Sequence, residues 1–272
     1  MQTPQVYYVF RSGELFLLDD TTLPRQFPEI PGSTVLDTLD ARLADENARV
    51  VLLEGSAPVS SVVSASVSGE IPVNAGGRGT WMRLREILAS DDPALRRLAA
   101  PATRALGLVN WHSATRFCGR CGGPLSDHTT DCARTCGACG VSVYPRISPC
   151  VIVLVTKGDE LLLARHTDRN QDVFSCIAGY VEHGETLEEC VAREVYEETS
   201  LRVKNVRYAG SQGWPYPDQL MVAFRADWDS GEIRVDPVEI LEARWFPRDA
   251  LPNVPRPGTV AWNLIFGAND AK

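Results

Sequence analysis

Apolar residues recur every fourth position in one segment of the chain's second half. Leu187, Val191 and Val195 would share one face of a helix, and Glu194 and Glu198 project onto that same face. Carboxylates on the buried face of a helix are costly unless a cation meets them. Hard carboxylate oxygens suit Mg²⁺ or Mn²⁺. The pattern therefore predicts a helix that presents carboxylates to a divalent metal, rather than a solvated acidic helix.

Polar residues mark the start of the same predicted helix and provide ion pairs along it. Thr186, with Glu189 three residues later, has the spacing of a capping box. Glu197 lies to one side of the apolar stripe. Arg193 stands four residues from both Glu189 and Glu197, so it is expected to pair with either of them.

Hydrophobic periodicity elsewhere predicts short strands and a few helices in a mixed α+β chain. The predicted strands are 6–10, 15–18, 49–53, 151–156, 160–165, 173–178, 203–208, 220–228 and 242–246, with 60–73 as strand plus loop. The predicted helices are 81–88, 94–108 and 259–266, and Pro101 is expected to split the second. We expect three regions: an N-terminal α+β domain over 1–110, a small ribbon over 111–146 that contains two pairs of cysteines, and a domain over 147–272 that contains the acidic helix.

Composition narrows the class of protein. A chain of 272 residues with 44% hydrophobic residues can bury one large or two modest cores. The net charge of −8 argues against a general nucleic-acid coat, so such binding would need a local basic patch. The sequence shows neither a signal-peptide pattern nor a long apolar run, so we expect a cytoplasmic protein that does not span a membrane.

Four of the eight cysteines form two C-x2-C pairs. Fourteen residues separate Cys118 and Cys121 from Cys136 and Cys139, just under the usual spacing, but a short two-stranded ribbon accommodates it. The two pairs fit a tetrahedral Zn²⁺ site with four thiolate ligands. Such a site has no open position, so the zinc would be structural. Cys132 is an alternative to Cys136, at the expense of the second pair's spacing. Cys150, Cys176 and Cys190 are isolated and are expected to be buried.

A zinc ribbon can also bind nucleic acid or protein. Arg116, Arg120 and Arg134 lie close to the cysteine pairs and leave that role open. Arg85, in a predicted helix, could reach a phosphate group or could equally be a solvated helical arginine.

A second motif follows the acidic helix. Residues 211–217 alternate aromatic rings with prolines, which makes a stiff, extended segment. Such rings can stack on a purine or nicotinamide, or can simply be core contacts. Trp214 and Tyr216 are the rings in question.

The acidic helix and its loop resemble the Nudix box, G-x5-E-x7-R-E-U-x-E-E-x-G-U, where U is a bulky aliphatic residue. Eight positions match: Gly179, Glu185, Arg193, Glu194, Val195, Glu197, Glu198 and Leu201. Ser200 stands where the pattern has a glycine that would end the helix at positive φ. The resemblance implies an α/β/α sandwich and metal-dependent hydrolysis of a diphosphate.

The segment around Trp214 resembles SQPWPFPxS, which marks the NADH pyrophosphatase and NAD-capped RNA decapping branch of the Nudix family. The resemblance implies a homodimer that hydrolyses NAD(H) to nicotinamide mononucleotide and AMP, and that removes NAD caps from RNA 5′ ends. It also implies catalytic Glu194, Glu197 and Glu198, and Mg²⁺ or Mn²⁺ ligands at Glu194, Glu198, Glu239 and the Ala178 carbonyl. Substrate contacts are implied at Tyr144, Gln212, Gly213, Trp214, Pro215, Tyr216, Pro217, Asp218, Gln219, Ala261 and Arg85.

Two other functions remain open at this point. One is a Nudix hydrolase of another nucleoside diphosphate derivative such as ADP-ribose, which the aromatic segment disfavours. The other is a zinc-ribbon binding protein on an inactive scaffold, which the intact acidic run from Arg193 to Glu198 disfavours.

Overall fold

The computed structural model describes residues 6–18, 20–25, 35–43, 46–53, 79–167 and 172–267. The chain forms two compact units, one of Met1–Arg146 with Pro215–Asp218 and one of Ile147–Trp214 with Gln219–Lys272. The predicted element at 60–73 lies outside the described residues. Within those residues, no helix combines the length and the apolar character needed to cross a bilayer.

The first unit contains a five-stranded sheet in the order β3-β4-β1-β2-β5. Its elements are β1 (Val6–Arg11), β2 (Glu14–Leu18), β3 (Val35–Leu43), β4 (Glu46–Leu53), β5 (Gly79–Arg83), α1 (Leu84–Ala89) and α2 (Pro93–Ala114). Strands β1 and β2, both predicted, form an antiparallel hairpin, and β4 runs parallel to β1. Apolar residues of this sheet and of both helices share one buried core: Tyr8, Phe10, Leu15, Leu17, Leu84, Ile87, Ala105 and Val109 are among them.

Two predictions in this unit were wrong. Residues 81–83 belong to β5 and not to a helix, because Trp81 pairs with Phe16 across the sheet and their rings meet edge to face at 5.2 Å. Pro101 does not split helix α2, which continues from Pro93 to Ala114. Buried side chains on both sides of this proline hold the helix against the core: Leu95, Ala102, Ala105 and Leu106.

A small antiparallel sheet follows helix α2 and carries the cysteine pairs. Its strands are β6 (Leu125–Asp127), β7 (Arg134–Cys136) and β8 (Ser142–Val143). Arg134 donates to the backbone carbonyls of His112, Thr115 and Leu125, so its guanidinium joins the end of α2 to this ribbon. The ribbon with four cysteines is consistent with the predicted zinc ribbon.

The second unit is built on a six-stranded mixed sheet in the order β12-β13-β9-β10-β14, with β11 also paired to β9. Its elements are β9 (Ser148–Lys157), β10 (Glu160–His166), β11 (Ile177–Tyr180), α3 (Leu187–Thr199), β12 (Arg202–Trp214), β13 (Gln219–Ser230), β14 (Ile240–Pro247) and α4 (Val260–Phe266). Strands β9 and β13 run parallel, and the other neighbours are antiparallel.

The two faces of this sheet are covered by different helices. Val151 and Val153 of β9 pack in the cluster that contains Val191 and Val195 of α3. Ile152 and its neighbours at alternate positions pack on the other face, in the cluster that contains residues of α4: Val260, Ala261, Leu264 and Ile265. Successive side chains of a strand point to opposite faces, so the sheet lies between two helical layers. The predicted α/β/α sandwich is confirmed.

Strand boundaries around the acidic helix differ from those predicted. Strand β11 begins at Ile177 rather than at 173 and continues to Tyr180, because it pairs with β9 over that length. Strand β12 extends to Trp214, since its final residues pair with β13. The first half of the predicted aromatic loop is therefore strand, and the turn comprises only Pro215–Asp218.

Candidate active site

The carboxylate of Glu194 lies directly over Gly179 in strand β11. A β-carbon built on Gly179 would stand 1.9 Å from the carboxyl carbon of Glu194, so only glycine leaves room for this carboxylate. Glu194 is 8% exposed, and its burial raises the pKa of its carboxyl group, against the opposing effect of Arg193. The negative charges of Glu197 and Glu239 raise this pKa further. A buried carboxylate beside two others is a favourable position for a cation.

Arg193 organises the loop and the helix around this carboxylate. Its guanidinium donates to both carboxylate oxygens of Glu185, from Nη2 at 2.7 Å and from Nε at 3.0 Å. Nη1 also donates to Glu194 at 2.8 Å and to Glu197 at 3.0 Å, and Nη2 donates to the carbonyl of Tyr180 at 2.9 Å. The predicted pairing with Glu197 is confirmed.

Helix spacing suggested that Glu189 could pair with Arg193, but Glu185 forms that pair instead. Glu189 does not reach Arg193; its carboxylate accepts from the Thr186 N–H, and the Thr186 hydroxyl accepts from the Glu189 N–H. The predicted capping box is thereby confirmed. Glu185, eight residues before Arg193, accepts from that arginine instead. The hydrogen bonds that Glu185 accepts from Arg193 and from the Glu182 N–H lower its pKa to about 2. Sequence spacing missed this role, because the loop brings Glu185 back over the helix.

Ser200 ends helix α3 in the left-handed conformation that the Nudix pattern normally gives to glycine. Its φ is 60° and its ψ is 14°. The Ser200 hydroxyl donates to the carbonyl of Arg234 at 3.1 Å, and its N–H donates to the carbonyl of Tyr196 at 2.7 Å. These two bonds offset part of the strain of about 1 kcal/mol that a side chain adds at positive φ.

The other predicted carboxylates differ in exposure. Glu198 is 3% exposed, whereas the side chain of Glu197 is 57% exposed. Glu239 is exposed, and its backbone carbonyl accepts from the Thr167 N–H at 2.9 Å. Glu194 and Glu239 interact electrostatically, but in the described part of the chain only the four cysteines bring three or more ligand atoms within 4.8 Å of one another.

These residues offer a donor set that fits a divalent cation. Glu194 and Glu198 are buried on one helix, where an ionised carboxylate needs a positive partner. Ala178, the predicted carbonyl ligand, precedes Gly179 in β11, the strand on which the Glu194 carboxylate rests. Oxygen donors of this kind suit Mg²⁺ or Mn²⁺ better than softer metals.

The four cysteines of the ribbon form a compact group that could hold a metal ion. The Sγ atoms of Cys118 and Cys139 are 3.7 Å apart, and those of Cys121 and Cys136 are 3.5 Å apart. A tetrahedral site with Zn–S bonds of about 2.3 Å has S–S edges of about 3.8 Å, so the group nearly has this geometry. Backbone N–H groups lower the pKa of Cys118 and bring that of Cys136 to about 7. Cys132 does not belong to this group.

The aromatic segment divides between the two units. Trp214 ends β12 and packs, partly buried, on the cluster that contains α4. Tyr216 packs against the core of the first unit, where the guanidinium of Arg85 lies 4.8 Å from the centre of its ring. Asn110 of α2 donates to the carbonyl of Pro215 at 3.3 Å. One face of the Tyr216 ring is thus covered by Arg85, a contact that the sequence did not reveal.

The remaining predicted substrate residues have defined partners. Gln212 donates to the carbonyl of Gly258 and accepts from the N–H of Val260, both at 2.8 Å, and so fixes the start of α4. Gln212 and Val260 also line a cavity of about 340 Å³ between β12, β13 and α4. Ala261, next along α4, is buried.

Exposed polar and aromatic groups complete the set. Gln219 donates to the hydroxyl of Tyr180 at 2.6 Å, which places an exposed ring one residue after Gly179. In the first unit, Tyr144 is 58% exposed and its hydroxyl donates to Asp131 at 3.2 Å. Asp218 is held by Arg146 at 2.6 Å. Gly213 and Pro217 complete the predicted set, in β12 and in the turn respectively.

Comparisons with known proteins identify the family of this chain. A NUDIX domain model matches residues 145–264. A relative from Chromobacterium violaceum, named NAD-capped RNA hydrolase NudC, is 41% identical over 272 residues, which cover 99% of this chain and 93% of the relative. The protein of the same name from Citrobacter koseri is 49% identical over 182 residues, which cover 67% of this chain and 69% of that protein.

Solved structures give a weaker likeness. The crystal structure of a NUDIX hydrolase from Nitrosomonas europaea shares 26% identity, covers 50% of this chain and 80% of that chain, and has a TM-score of 0.46. The family assignment depends instead on the sequence relatives, of which the one from Chromobacterium violaceum matches nearly the whole chain. The chain therefore belongs to the Nudix family, among relatives that are named NAD-capped RNA hydrolase NudC.

Proposed function

We propose that this protein hydrolyses the diphosphate of NAD(H) to nicotinamide mononucleotide and AMP, and that it removes NAD caps from RNA 5′ ends. The observation that carries the proposal is the seating of the buried Glu194 carboxylate over Gly179, with Arg193 bracing it. The names of the relatives, NAD-capped RNA hydrolase NudC, support this substrate class.

Glu194, Glu198 and Glu239, with the Ala178 carbonyl, would hold Mg²⁺ or Mn²⁺. When bound, the metal would neutralise phosphate charge and make a coordinated water more acidic. Glu198 would take the proton of the attacking water; its buried position on α3 supports this role. Arg193 holds Glu185 and Glu194 in place, so that the carboxylates need little rearrangement during the reaction.

Recognition of the dinucleotide would come from the turn and its neighbours. Trp214 would stack on a base or on nicotinamide. Tyr216 lies in the turn, and Arg85 would hold its ring in place, because the guanidinium covers one face of that ring. Tyr144, Gln212, Gln219 and Ala261 would complete the contacts that the family resemblance implies.

A structural Zn²⁺ on Cys118, Cys121, Cys136 and Cys139 belongs to the same proposal. Four thiolates leave no position for a substrate, so this metal would stabilise the ribbon. A homodimer remains a prediction from the resemblance, and a cytoplasmic location remains a prediction from the lack of a signal-peptide pattern.

The deciding experiment measures AMP release from NADH, from ADP-ribose and from NAD-capped RNA, with Mg²⁺ or Mn²⁺ added after removal of metal by a chelator. A NAD-type diphosphatase should cleave NADH and the capped RNA in a metal-dependent manner, with higher kcat/KM than for ADP-ribose. A preference for ADP-ribose would replace the proposal with the alternative Nudix activity. Absence of any hydrolysis would favour a binding protein.

A further inference from the structure

An unusual run of positive charge extends through helix α2 into the first cysteine pair. Residues 93–126 contain five arginines and no aspartate, glutamate or lysine, in a chain whose net charge is −8. The five are Arg96, Arg97, Arg104, Arg116 and Arg120. A local field of this sign within an acidic protein favours an anionic partner at this place.

The end of this run carries an exposed aromatic ring between two arginines. Phe117 is 69% exposed, and Arg116 and Arg120 are exposed on either side of it in the sequence. We call Arg116, Phe117 and Arg120 the knuckle surface. Neither arginine forms an ion pair with a carboxylate in the part of the chain that the structure describes. Arg116 uses only its Nε, which donates to the carbonyl of Ser113 at 3.0 Å, and its terminal amino groups remain available.

Other arginines of the same unit are used differently. Arg134 has a side chain that is only 13% exposed and binds Asp127 and three backbone carbonyls. Arg146 is held by Asp218 at 2.6 Å. The knuckle surface is thus distinguished from the interior and paired arginines by its exposure and by its lack of acidic partners among the described residues.

We propose that the knuckle surface binds the single-stranded body of an RNA, downstream of the 5′ cap. An exposed ring accepts a stacked base, and flanking guanidinium groups neutralise the neighbouring phosphates. A two-fold contact between copies of this chain would instead bring like charges together, which makes a second copy a poor occupant. This inference rests on the proposed decapping activity, and it assigns a surface to the part of the substrate that free NADH lacks.

The test compares substrates that share the cap chemistry and differ in the RNA body. We would measure kcat/KM for NADH and for an NAD-capped oligoribonucleotide of about 20 nucleotides, using Phe117→Ala and the double variant Arg116→Gln/Arg120→Gln. Loss of one stacking contact of about 1–3 kcal/mol should lower kcat/KM for the capped RNA by roughly 10-fold or more in Phe117→Ala. NADH hydrolysis should stay unchanged in both variants. Arg244→Ala removes an exposed arginine of β14 that is paired with Glu242; it serves as a control for the loss of one surface positive charge, with no change expected for either substrate.

Salt dependence gives a second measure of the same surface. Binding of an uncapped oligoribonucleotide of equal length, followed by fluorescence anisotropy, should weaken in both variants. The double variant should also reduce the slope of log K against log salt by about 1.4, since each phosphate contact with a single strand contributes about 0.7. This binding assay does not depend on hydrolysis, so a failure of the RNA surface can be distinguished from a failure of the proposed activity.

Three results would overturn the inference. Equal losses for NADH and capped RNA would mean that the knuckle surface supports the fold or the ribbon metal. A change from dimer to monomer on size-exclusion chromatography, with equal losses for both substrates, would make the surface an interface between copies. Unchanged RNA binding and unchanged decapping in both variants would show that the RNA body binds elsewhere.

Discussion

The side chain of Glu194 occupies the space that a β-carbon on Gly179 would fill. The two positions are fifteen residues apart, yet the glycine of β11 and the carboxylate of α3 form a single fitted contact. The strand thereby determines where the Glu194 carboxylate can lie.

Gly179→Ala should therefore inactivate the enzyme without unfolding it. The new methyl group would displace the Glu194 carboxylate by an ångström or more, and displacements of that size can lower rates by about 10²-fold. The measurement is kcat for NADH together with the melting temperature. Gly119→Ala is the control, because a β-carbon there meets no atom within 4 Å. Full activity in Gly179→Ala would show that the Glu194 position does not matter for turnover.

Glu198→Gln should abolish turnover and leave the fold intact. Glu198 is 3% exposed on α3, and loss of a general base or metal ligand should lower kcat by at least about 10²-fold. Glu188→Gln, at an exposed position of the same helix, should keep normal activity. Near-normal kcat in a folded Glu198→Gln protein would remove Glu198 from the chemistry.

The bond between Glu185 and Arg193 should appear in the pH dependence of stability. The pKa of Glu185 falls from its ordinary value of 4.5 to about 2 in the folded protein, chiefly because Arg193 donates to it. A lowered pKa means that the ionised group stabilises the folded state above pH 4.5, and that this stabilisation is lost as the pH falls toward 2.

Glu185→Gln should consequently destabilise the protein at pH 7 and have a smaller effect at pH 3. Urea unfolding of wild type and variant at both pH values measures the difference. An equal difference at the two pH values would mean that Glu185 titrates alike in the folded and unfolded chains.

Removal of one ribbon cysteine should lower stability and zinc content together. Cys121→Ser breaks the four-thiol group, and a closed metal site contributes directly to folding. Cys132→Ser is the matched control, because Cys132 lies outside that group, and it should retain both zinc and melting temperature. Zinc lost in Cys132→Ser but kept in Cys121→Ser would mean that Cys132, and not Cys121, is a zinc ligand.

Trp214→Ala should distinguish nicotinamide recognition from other roles of the turn. ADP-ribose shares the adenosine diphosphate of NADH but has no nicotinamide, so the variant should lower kcat/KM for NADH by roughly 10-fold and leave ADP-ribose nearly unchanged. Equal losses would mean that Trp214 holds the shared adenine or supports the site by packing. No loss for either substrate would place the ring away from the substrate.

Local patterns in the sequence predicted the acidic helix well. Thr186 and Glu189 are three residues apart and cap each other, as their spacing requires. The apolar stripe of Val191 and Val195 is buried, as predicted, and it packs against the sheet. Such features depend on contacts within one or two turns of helix, so a single sequence contains all the information that they need.

Contacts between distant segments were beyond this kind of reasoning. Trp81 is strand because Phe16, far earlier in the chain, pairs with it. Arg193 binds Glu185 because a loop folds back over the helix, whereas helix spacing pointed to Glu189. The contact between Tyr216 and Arg85 likewise joins residues that are far apart in the sequence. In each case the deciding partner is fixed by the path of the chain and not by local periodicity.

The turn Pro215–Asp218 has a consequence for dissecting this protein into pieces. These four residues belong to the same compact unit as Met1–Arg146, although the chain on both sides of them belongs to the other unit. A truncated protein that begins at Ile147 would retain the turn but lose Arg85, Asn110 and Arg146, which contact it. Expression of the Nudix portion alone would therefore expose the ring of Tyr216 to solvent. Because the turn lies between two stretches of the second unit, a single cut before Ile147 separates the turn from the residues of the first unit that contact it.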